Sequence, residues 1–304
     1  MIKVFGHKAP DTDATGSAII WAWYQTEKGN AATPYVLGEP NTEAAFVLNK
    51  WGYERPAILE NVGAGDDVII VDTNNPAELP EGVNDASIIE IIDHHLLVGG
   101  LKTNQPINIT VKPVASTATI MAGMMGDDLA SAPTGIKGLI LSCILSDTLE
   151  FRSPTTTDVD VALAKSLASD LDLDITTYAG EMFAAKSDVS HFSDAELLRL
   201  DSKQYDVADK SFRVSVLETT SPATVLSRKD SLIETMVPVA SEDGVDQVLL
   251  FVVDILKQEA TLLVPNDLVK NLATASFGVD VSGDTVVLSG VVSRKKQIIP
   301  NLKM

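Results

Sequence analysis

Short apolar runs rich in Ile and Val alternate with longer helix-like segments along the chain up to about residue 190. Three of these runs are Ile2–Phe5, Val68–Val71 and Ile88–Ile92. Strands that are buried on both faces and joined through helices are typical of βαβ units in a parallel sheet. The pattern therefore predicts an α/β fold whose first domain is built around a parallel sheet.

Acidic and imidazole side chains follow each of the three apolar runs. The first run is followed by His7, Asp11 and Asp13, the second by Asp72, and the third by the sequence Asp93–His95. The carboxyl ends of parallel strands share one edge of a sheet, and open α/β sheets build their sites there. We expect all of these side chains to meet at that edge.

The chemistry of this set is that of a metal site. A further acid, Asp147, follows the helix-like stretch Thr134–Leu145 and is expected to point toward the same edge. A single Asp at a strand end often caps a turn, but three of the four histidines in the chain fall in these two motifs. Carboxylates combined with neutral imidazoles suit Mn²⁺, Co²⁺, Fe²⁺ or Zn²⁺.

A second, smaller α/β domain is predicted beyond a polar stretch without periodicity, Ser187–Ser193. We place the first domain at residues 1–187, a hinge linker at 188–193 and the second domain at 194–304, because a chain of this length suits two cores. The strands predicted in the second domain are Phe212–Leu217, Gln247–Val253, Ala260–Val264 and Thr285–Leu288, and the helices are Thr224–Val239 and Asn266–Ala275.

Charge and hydropathy exclude several classes of partner. The formal net charge of −19 argues against a general nucleic-acid surface. The apolar runs are too short to cross a bilayer, and Lys3 and His7 interrupt any amino-terminal signal segment. The single cysteine, Cys143, can form no intrachain disulfide and is expected to be a buried, inert thiol. We expect a cytoplasmic protein without nucleic-acid or membrane partners.

Several motifs resemble those of a known superfamily. The sequence His7-x-x-Pro-Asp11-x-Asp13, the pair Val71-Asp72 and the run Asp93–His95 resemble the first three motifs of the DHH phosphoesterases. That superfamily includes RecJ-type nucleases, oligonucleotide phosphodiesterases, exopolyphosphatases and the manganese-dependent (family II) inorganic pyrophosphatases.

The carboxyl half favours the last of these branches. Ser293–Gln297 resembles the Ser-Arg-Lys-Lys-Gln signature of the family II pyrophosphatases, and Leu200–Lys203 resembles the stretch that carries their phosphate-binding lysine. The nuclease branches use a histidine in the second domain, whereas no histidine follows His191 here. The resemblance implies an amino-terminal DHH domain, a DHHA2-type carboxyl-terminal domain, and an active site in the cleft between them.

The resemblance also implies a ligand set and a reaction. Two Mn²⁺ or Co²⁺ ions per subunit would share Asp72 and activate a bridging hydroxide that hydrolyses pyrophosphate, which arrives with Mg²⁺. The implied metal ligands are His7, Asp11, Asp13, Asp72, His94 and Asp147. His95 would contact or protonate the leaving phosphate, Lys203, Arg294 and Lys295 would bind the phosphoryl oxygens, and the subunits would form a homodimer.

Two alternatives stay open on the residues alone. One is a related hydrolase of polyphosphate or short oligonucleotides, and the other is a metal-dependent phosphate sensor without turnover. The chain also departs from the family at Asp72-Thr73-Asn74, where the family commonly has Asp-His-Asn. Because outer partners orient metal ligands, Thr73 predicts an altered metal affinity or preference.

Overall fold

A sheet of six parallel strands organises the first part of the chain in this computed structural model, which describes residues 1–304. The strands are β1 (Ile2–Phe5), β2 (Ala32–Val36), β3 (Ala57–Ile58), β4 (Asp67–Val71), β5 (Ser87–Asp93) and β6 (Asn108–Val111). They lie in the order β3-β2-β1-β4-β5-β6, and all neighbours are parallel. The order reverses between β1 and β4, which is where open α/β sheets form a crevice at their carboxyl edge.

Six helices accompany this sheet: α1 (Thr12–Glu27), α2 (Thr42–Trp51), α3 (Thr117–Met125), α4 (Thr134–Thr148), α5 (Asp158–Asp170) and α6 (Ile175–Lys186). The middle of α4 is inaccessible to solvent, as its apolar sequence predicts. Trp51 at the end of α2 lies against α4 at Gly138, where a Cβ atom would come within 2.1 Å of the indole. Trp51 Nε1 also donates to Ser142 Oγ of α4 at 3.0 Å.

Two helix boundaries differ from the sequence prediction, and both concern site residues. The sequence from Thr15 to Tyr24 predicts a helix, but helix α1 begins earlier, at Thr12, because the Asp11 carboxylate accepts the Ala14 N–H at 2.9 Å and caps the helix. Asp13 therefore lies in the first helical turn instead of a loop. Asp147 likewise lies inside the last turn of α4 and does not follow it. Both carboxylates are consequently carried by helix ends.

A mixed sheet of five strands organises the rest of the chain. Its strands are β7 (Ser202–Val207), β8 (Lys210–Thr219), β9 (Gln247–Asp254), β10 (Glu259–Leu263) and β11 (Thr285–Ser289). They lie in the order β11-β10-β9-β8-β7, with β8 and β9 parallel and the other pairs antiparallel. The helices are α7 (Asp194–Leu197), α8 (Pro222–Leu226), α9 (Lys229–Asp243) and α10 (Asp267–Phe277). Two buried apolar clusters accompany this sheet, and the predicted α/β class is confirmed.

The single helix predicted at Thr224–Val239 is two helices, α8 and α9. Arg228 lies at their junction, where its guanidinium donates to Asp194 Oδ1 at 2.5 Å and to the Val189 carbonyl at 2.9 Å. These contacts with a distant part of the chain hold a turn that helical periodicity does not reveal.

The chain divides into two units, Met1–Lys186 and Ser187–Met304. Residues 187–193 form neither helix nor strand. The hinge role of the linker at 188–193 stays a prediction. No helix has the length and the apolar character needed to cross a membrane.

Candidate active site

The six predicted metal ligands lie together at the carboxyl edge of the parallel sheet. They occur in groups whose ligand atoms are within 4.8 Å of one another: His7, Asp11 and Asp72; Asp13, His94 and Asp147; and Asp72, His94 and His95. The sequence resemblance implies His7, Asp11 and Asp72 as one ligand set and Asp72 with Asp13, His94 and Asp147 as the other. The first group contains all of the first set, and the second group contains all of the second set except Asp72. Asp72 and His94 connect the groups.

Asp72 occupies the centre of this arrangement. It directly follows β4, has a left-handed φ of 59° and is only 1% exposed. Its Oδ2 lies 3.4 Å from His7 Nε2, and its Oδ1 lies 3.3 Å from His94 Nε2. A left-handed conformation costs a non-glycine residue about 1–2 kcal/mol, and such strain concentrates at functional sites. Because each oxygen faces a different imidazole, this carboxylate is placed to bridge two cations.

Asp13 is held by donors from two helices. Ser17 Oγ donates to its carboxylate at 3.1 Å, Ser116 Oγ at 3.0 Å and the Thr117 N–H at 2.6 Å. The last two donors are at the amino terminus of α3, where the helix dipole favours a negative charge. Thr117 also reaches Asp72, because its Oγ1 donates to Asp72 Oδ1 at 3.0 Å. Ser116 and Thr117 thus orient two predicted ligands, a role that no sequence motif indicated.

The imidazoles of His7 and His94 bind protons tightly in the absence of a metal ion. Burial lowers the pKa of His7, but Asp11 and Asp72 outweigh burial and raise the pKa to about 10. Burial opposes protonation of His94 as well, yet hydrogen bonding to Asp72 and the charge of Asp13 raise its pKa to about 9. The site therefore attracts positive charge.

The pKa values of the carboxylates are shifted by burial and by the same neighbouring charges. Burial and repulsion by Asp72 raise the pKa of Asp13 to about 6. Burial and the charges of Asp13 and Asp72 raise the pKa of Asp147 well above its usual value. Asp72, despite its burial, has a lowered pKa, because His7 and His94 stabilise its charged form. The cluster holds more carboxylates than its own cations can neutralise, and divalent ions would supply the missing charge.

The orientation of His94 also fits a metal ligand. Its Nδ1 lies 3.2 Å from the Val114 carbonyl, and since a carbonyl can only accept, Nδ1 carries the proton. Nε2, which faces Asp72 and Asp147, is then the nitrogen that can bind a metal ion. A backbone partner of this kind is usual for metal-binding histidines. Oxygen and imidazole donors without a thiolate suit Mn²⁺ or Co²⁺.

Cys143 is not part of this chemistry. It is fully buried, and burial raises the pKa of its thiol well above the usual value. A thiol that stays protonated is neither a ligand nor a nucleophile. This agrees with its predicted inert role.

His95 forms a dyad with the buried Asp93. Asp93 Oδ1 accepts from His95 Nδ1 at 2.8 Å and from the His95 backbone N–H at 3.0 Å. Asn74 Nδ2 donates to Asp93 Oδ2 at 2.5 Å. The hydrogen bond to Asp93 raises the pKa of His95, whose side chain is half exposed. Asp93 stands in the third sequence motif, but the motif did not indicate that Asp93 and Asn74 together orient His95.

The predicted phosphate-binding residues belong to the second unit. Arg294 is paired with Asp201, since its Nη2 lies 2.8 Å from Asp201 Oδ1 and its Nη1 donates to the Asp201 carbonyl. This pairing brings Arg294 to the start of β7, two residues from the exposed Lys203. Lys295 is exposed as well. Arg294 is therefore already paired with a carboxylate, and the sequence did not indicate this pairing.

Comparison with known proteins covers the whole chain. Residues 1–146 match the DHH family, N-terminal domain, and residues 180–304 match the DHHA2 domain. A probable manganese-dependent inorganic pyrophosphatase of Deinococcus radiodurans is 39% identical over 308 residues, covering 100% of this chain and 98% of the relative. A protein of the same name from Staphylococcus haemolyticus is 36% identical over 300 residues, covering 98% of this chain and 96% of the relative.

Two solved structures are similar along the chain. A Methanococcus jannaschii protein, provisionally assigned as a family II inorganic pyrophosphatase, has a TM-score of 0.62 and 34% identity, covering 99% of this chain and 98% of its own. An exopolyphosphatase-related protein from Bacteroides fragilis has a TM-score of 0.51 and 13% identity, covering 98% of this chain and 89% of its own. The second similarity shows the fold alone.

Proposed function

The chain belongs to the manganese-dependent, family II inorganic pyrophosphatases, and from this premise we propose that it hydrolyses pyrophosphate to two orthophosphates at the cluster around Asp72. The observation that carries the assignment to this cluster is the position of Asp72 between two imidazoles. Two Mn²⁺ ions fit the donors present, with His7, Asp11 and Asp72 as one ligand set. Asp13, Asp72, His94 and Asp147 form the other.

Bound divalent ions would polarise a phosphoryl oxygen and acidify water at this site. The protein supplies the remaining functions. Asp72 keeps both ligand sets in one fixed relation, while Ser116 and Thr117 hold the carboxylates in place. His95, oriented by Asp93, presents its Nε2 for proton transfer to the leaving phosphate.

Positive side chains in the second unit would bind the phosphoryl oxygens that the metal centre leaves unbalanced. Arg294 offers a planar fork for two oxygens, whereas Lys203 and Lys295 offer compact charges. Arg294 must release Asp201 before its guanidinium can bind the substrate. We propose that the 188–193 linker acts as a hinge in this step, so scattering profiles with and without metal and a nonhydrolysable analogue should differ.

Metal replacement tests the reaction and its cofactor together. Protein stripped of metal and refilled with Mn²⁺ or Co²⁺ should release phosphate from pyrophosphate faster than protein refilled with Zn²⁺ or Mg²⁺ alone. Asp72→Asn should lower kcat by ~100-fold or more, because one oxygen loses its charge and its ligand lone pairs. Faster hydrolysis of polyphosphate or short oligonucleotides than of pyrophosphate would overturn the assignment.

The substrate-binding proposal has its own test. Replacing Lys203 or Lys295 by Met should raise the KM for pyrophosphate several-fold, by ~1 kcal/mol or more per lost charged contact. Lys270→Met is the matched control, since Lys270 is an exposed lysine of α10 without a proposed role. Equal effects of all three variants would indicate a general charge effect and not specific binding.

A homodimer is the remaining part of the proposal. Strand β6 is an edge of the sheet, and its side chains Ile109 and Val111 are 56% and 39% exposed. Exposed edges of this kind invite pairing with a second chain. Light scattering should give a dimer for the native chain and a monomer for Ile109→Lys, and a native monomer would contradict the proposal.

A further inference from the structure

Asp160 in α5 is a buried acid outside all the ligand groups. It is fully inaccessible to solvent and forms no ion pair with a basic side chain. Its carboxylate accepts from the Thr157 N–H at 2.9 Å and from Thr157 Oγ1 at 2.6 Å, which completes the cap of α5. It also accepts from the Ala115 N–H at 3.1 Å and from Thr119 Oγ1 at 2.7 Å. The second pair of contacts has no function in capping α5.

The segment between Ala115 and Thr119 carries the donors to the candidate metal centre. Ser116 and Thr117 lie between the two contacts with Asp160, and their side chains donate to Asp13 and Asp72, respectively. The whole segment is buried, with no residue more than 3% exposed. Asp160 therefore anchors both ends of the short segment that orients two carboxylates.

We propose that Asp160 is a positioning residue for the metal centre, acting through the segment Ala115–Thr119. The proposal rests on the proposed function only in that Asp13 and Asp72 are taken as metal ligands. A carboxylate suits the role because its two oxygens accept from several donors, whereas an amide accepts at one oxygen only. Burial without a cation is costly for a carboxylate, and the hydrogen bonds that Asp160 accepts offset this cost.

Two variants separate positioning from helix capping. Asp160→Asn keeps the shape of the side chain, but its amide N–H₂ group, a donor, then faces groups that are donors themselves. Thr119→Val removes only the hydroxyl that binds Asp160 and leaves the α5 cap intact. Outer partners of metal ligands typically change metal affinity by 10–100-fold, and we expect ~10-fold weaker Mn²⁺ binding for Asp160→Asn and at least ~3-fold for Thr119→Val.

Two control variants remove comparable buried contacts elsewhere. Thr157→Ala breaks the cap of α5 on the other side of Asp160. Glu90→Gln changes a buried acid of β5 that accepts from Trp21 Nε1 at 2.7 Å. Both should lower the unfolding temperature but leave the Mn²⁺ dissociation constants within about twofold of the native values, since neither contacts the Ala115–Thr119 segment.

The readout is direct Mn²⁺ titration with detection by electron paramagnetic resonance, combined with thermal unfolding, in the absence of substrate. If Thr119→Val and Asp160→Asn bind Mn²⁺ like the native protein and lose only stability, Asp160 is a structural cap and the proposal is wrong. If Asp160→Asn does not fold, Thr119→Val decides alone. A native chain that binds two Mn²⁺ ions but does not cleave pyrophosphate would overturn the proposed function and leave the role of Asp160 testable by the same titration.

Discussion

At the scale of single residues, the electrostatic interactions around Asp72 determine which side chains of the site are charged. Two imidazoles stabilise its charged form, while the neighbouring Asp13 and Asp147 have raised pKa values because burial and mutual repulsion oppose ionisation. The sequence indicated these residues through their position after apolar strands. It could not indicate the hydrogen bonds that Ser116 and Thr117 donate to Asp13, because these two residues are about a hundred positions away.

Metal binding should release protons. His7 and His94, with pKa values of about 10 and 9, are charged at pH 7.5 in the metal-free protein and must lose their protons to coordinate. We expect release of at least about two protons per subunit on saturation with Mn²⁺, and an apparent affinity that increases from pH 6 to pH 9. Calorimetry in buffers of different ionisation enthalpy measures this number. His7→Gln should release about one proton fewer, and no release at all would contradict the charged state of the imidazoles.

Thr73 provides a second test at this scale. Its side chain is buried, and its Oγ1 donates to Glu78 Oε2 at 2.7 Å, so it does not orient a metal ligand as an imidazole could. Thr73→His should change the Mn²⁺ dissociation constant by at least ~3-fold, since outer partners tune ligand geometry. Thr73→Val, which removes the hydroxyl without adding an imidazole, is the control. Unchanged constants in Thr73→His would show that this departure from the family has no effect on the metal.

At the scale of elements, the buried strands were predictable, and of the edge strands only β11 was predicted. Strands β1, β4 and β5 read as apolar runs because both of their faces are covered, and the sheet brings their carboxyl ends together. Strands β6 and β7 contain no buried residue and carry mixed side chains, so no periodicity marked them. Arg294 pairs with Asp201 across 93 residues of sequence, and no local pattern encodes such a contact.

The hairpin between β7 and β8 yields a prediction about stability. Val207 pairs with Lys210, and the first turn residue, Ala208, has a left-handed φ of 56°. Ala208→Gly should raise the free energy of unfolding of the second unit by about 1 kcal/mol, because glycine avoids the steric cost of this conformation. Chemical denaturation measures the change. Ala223→Gly, in the helix α8, should instead lower stability, and a decrease in both variants would contradict the strain at Ala208.

At the scale of the whole molecule, a net charge of −19 coexists with a site for anionic substrate. Divalent ions dominate the potential in their own site, so the overall charge does not decide which ligands bind there. The residues that the sequence predicts as metal ligands lie together in the fold. How the donors of the site are arranged in space became known only from the fold, since they follow β1 and β4 or lie in α4, which are widely separated in the sequence.

The metal-free and metal-bound proteins should respond oppositely to pH. In the metal-free protein the raised pKa values of His7 and His94 provide stability below about pH 6.5, and this stability is lost as the pH rises through about 9–10. In the metal-bound protein, a fixed concentration of free Mn²⁺ that equals 100 times the dissociation constant at pH 7 adds about 2.7 kcal/mol per site at that pH, and it adds more at pH 9 because the affinity increases as the imidazoles lose their protons. The difference in Tm between the two forms should therefore widen from pH 7 to pH 9. A constant difference across this range would contradict the charge balance of the site.

The packing of Trp51 against Gly138 gives the molecule a built-in optical reporter. The indole fills a gap that tolerates no Cβ atom on α4, and the carboxyl-terminal turn of the same helix carries Asp147. Indole emission depends on polarity and hydrogen bonding around the ring, so a small displacement of α4 changes the colour and intensity of the light emitted by Trp51. We therefore expect loading of the site to change the contribution of Trp51 to the fluorescence of this chain, which has three tryptophans, without any label attached to the protein.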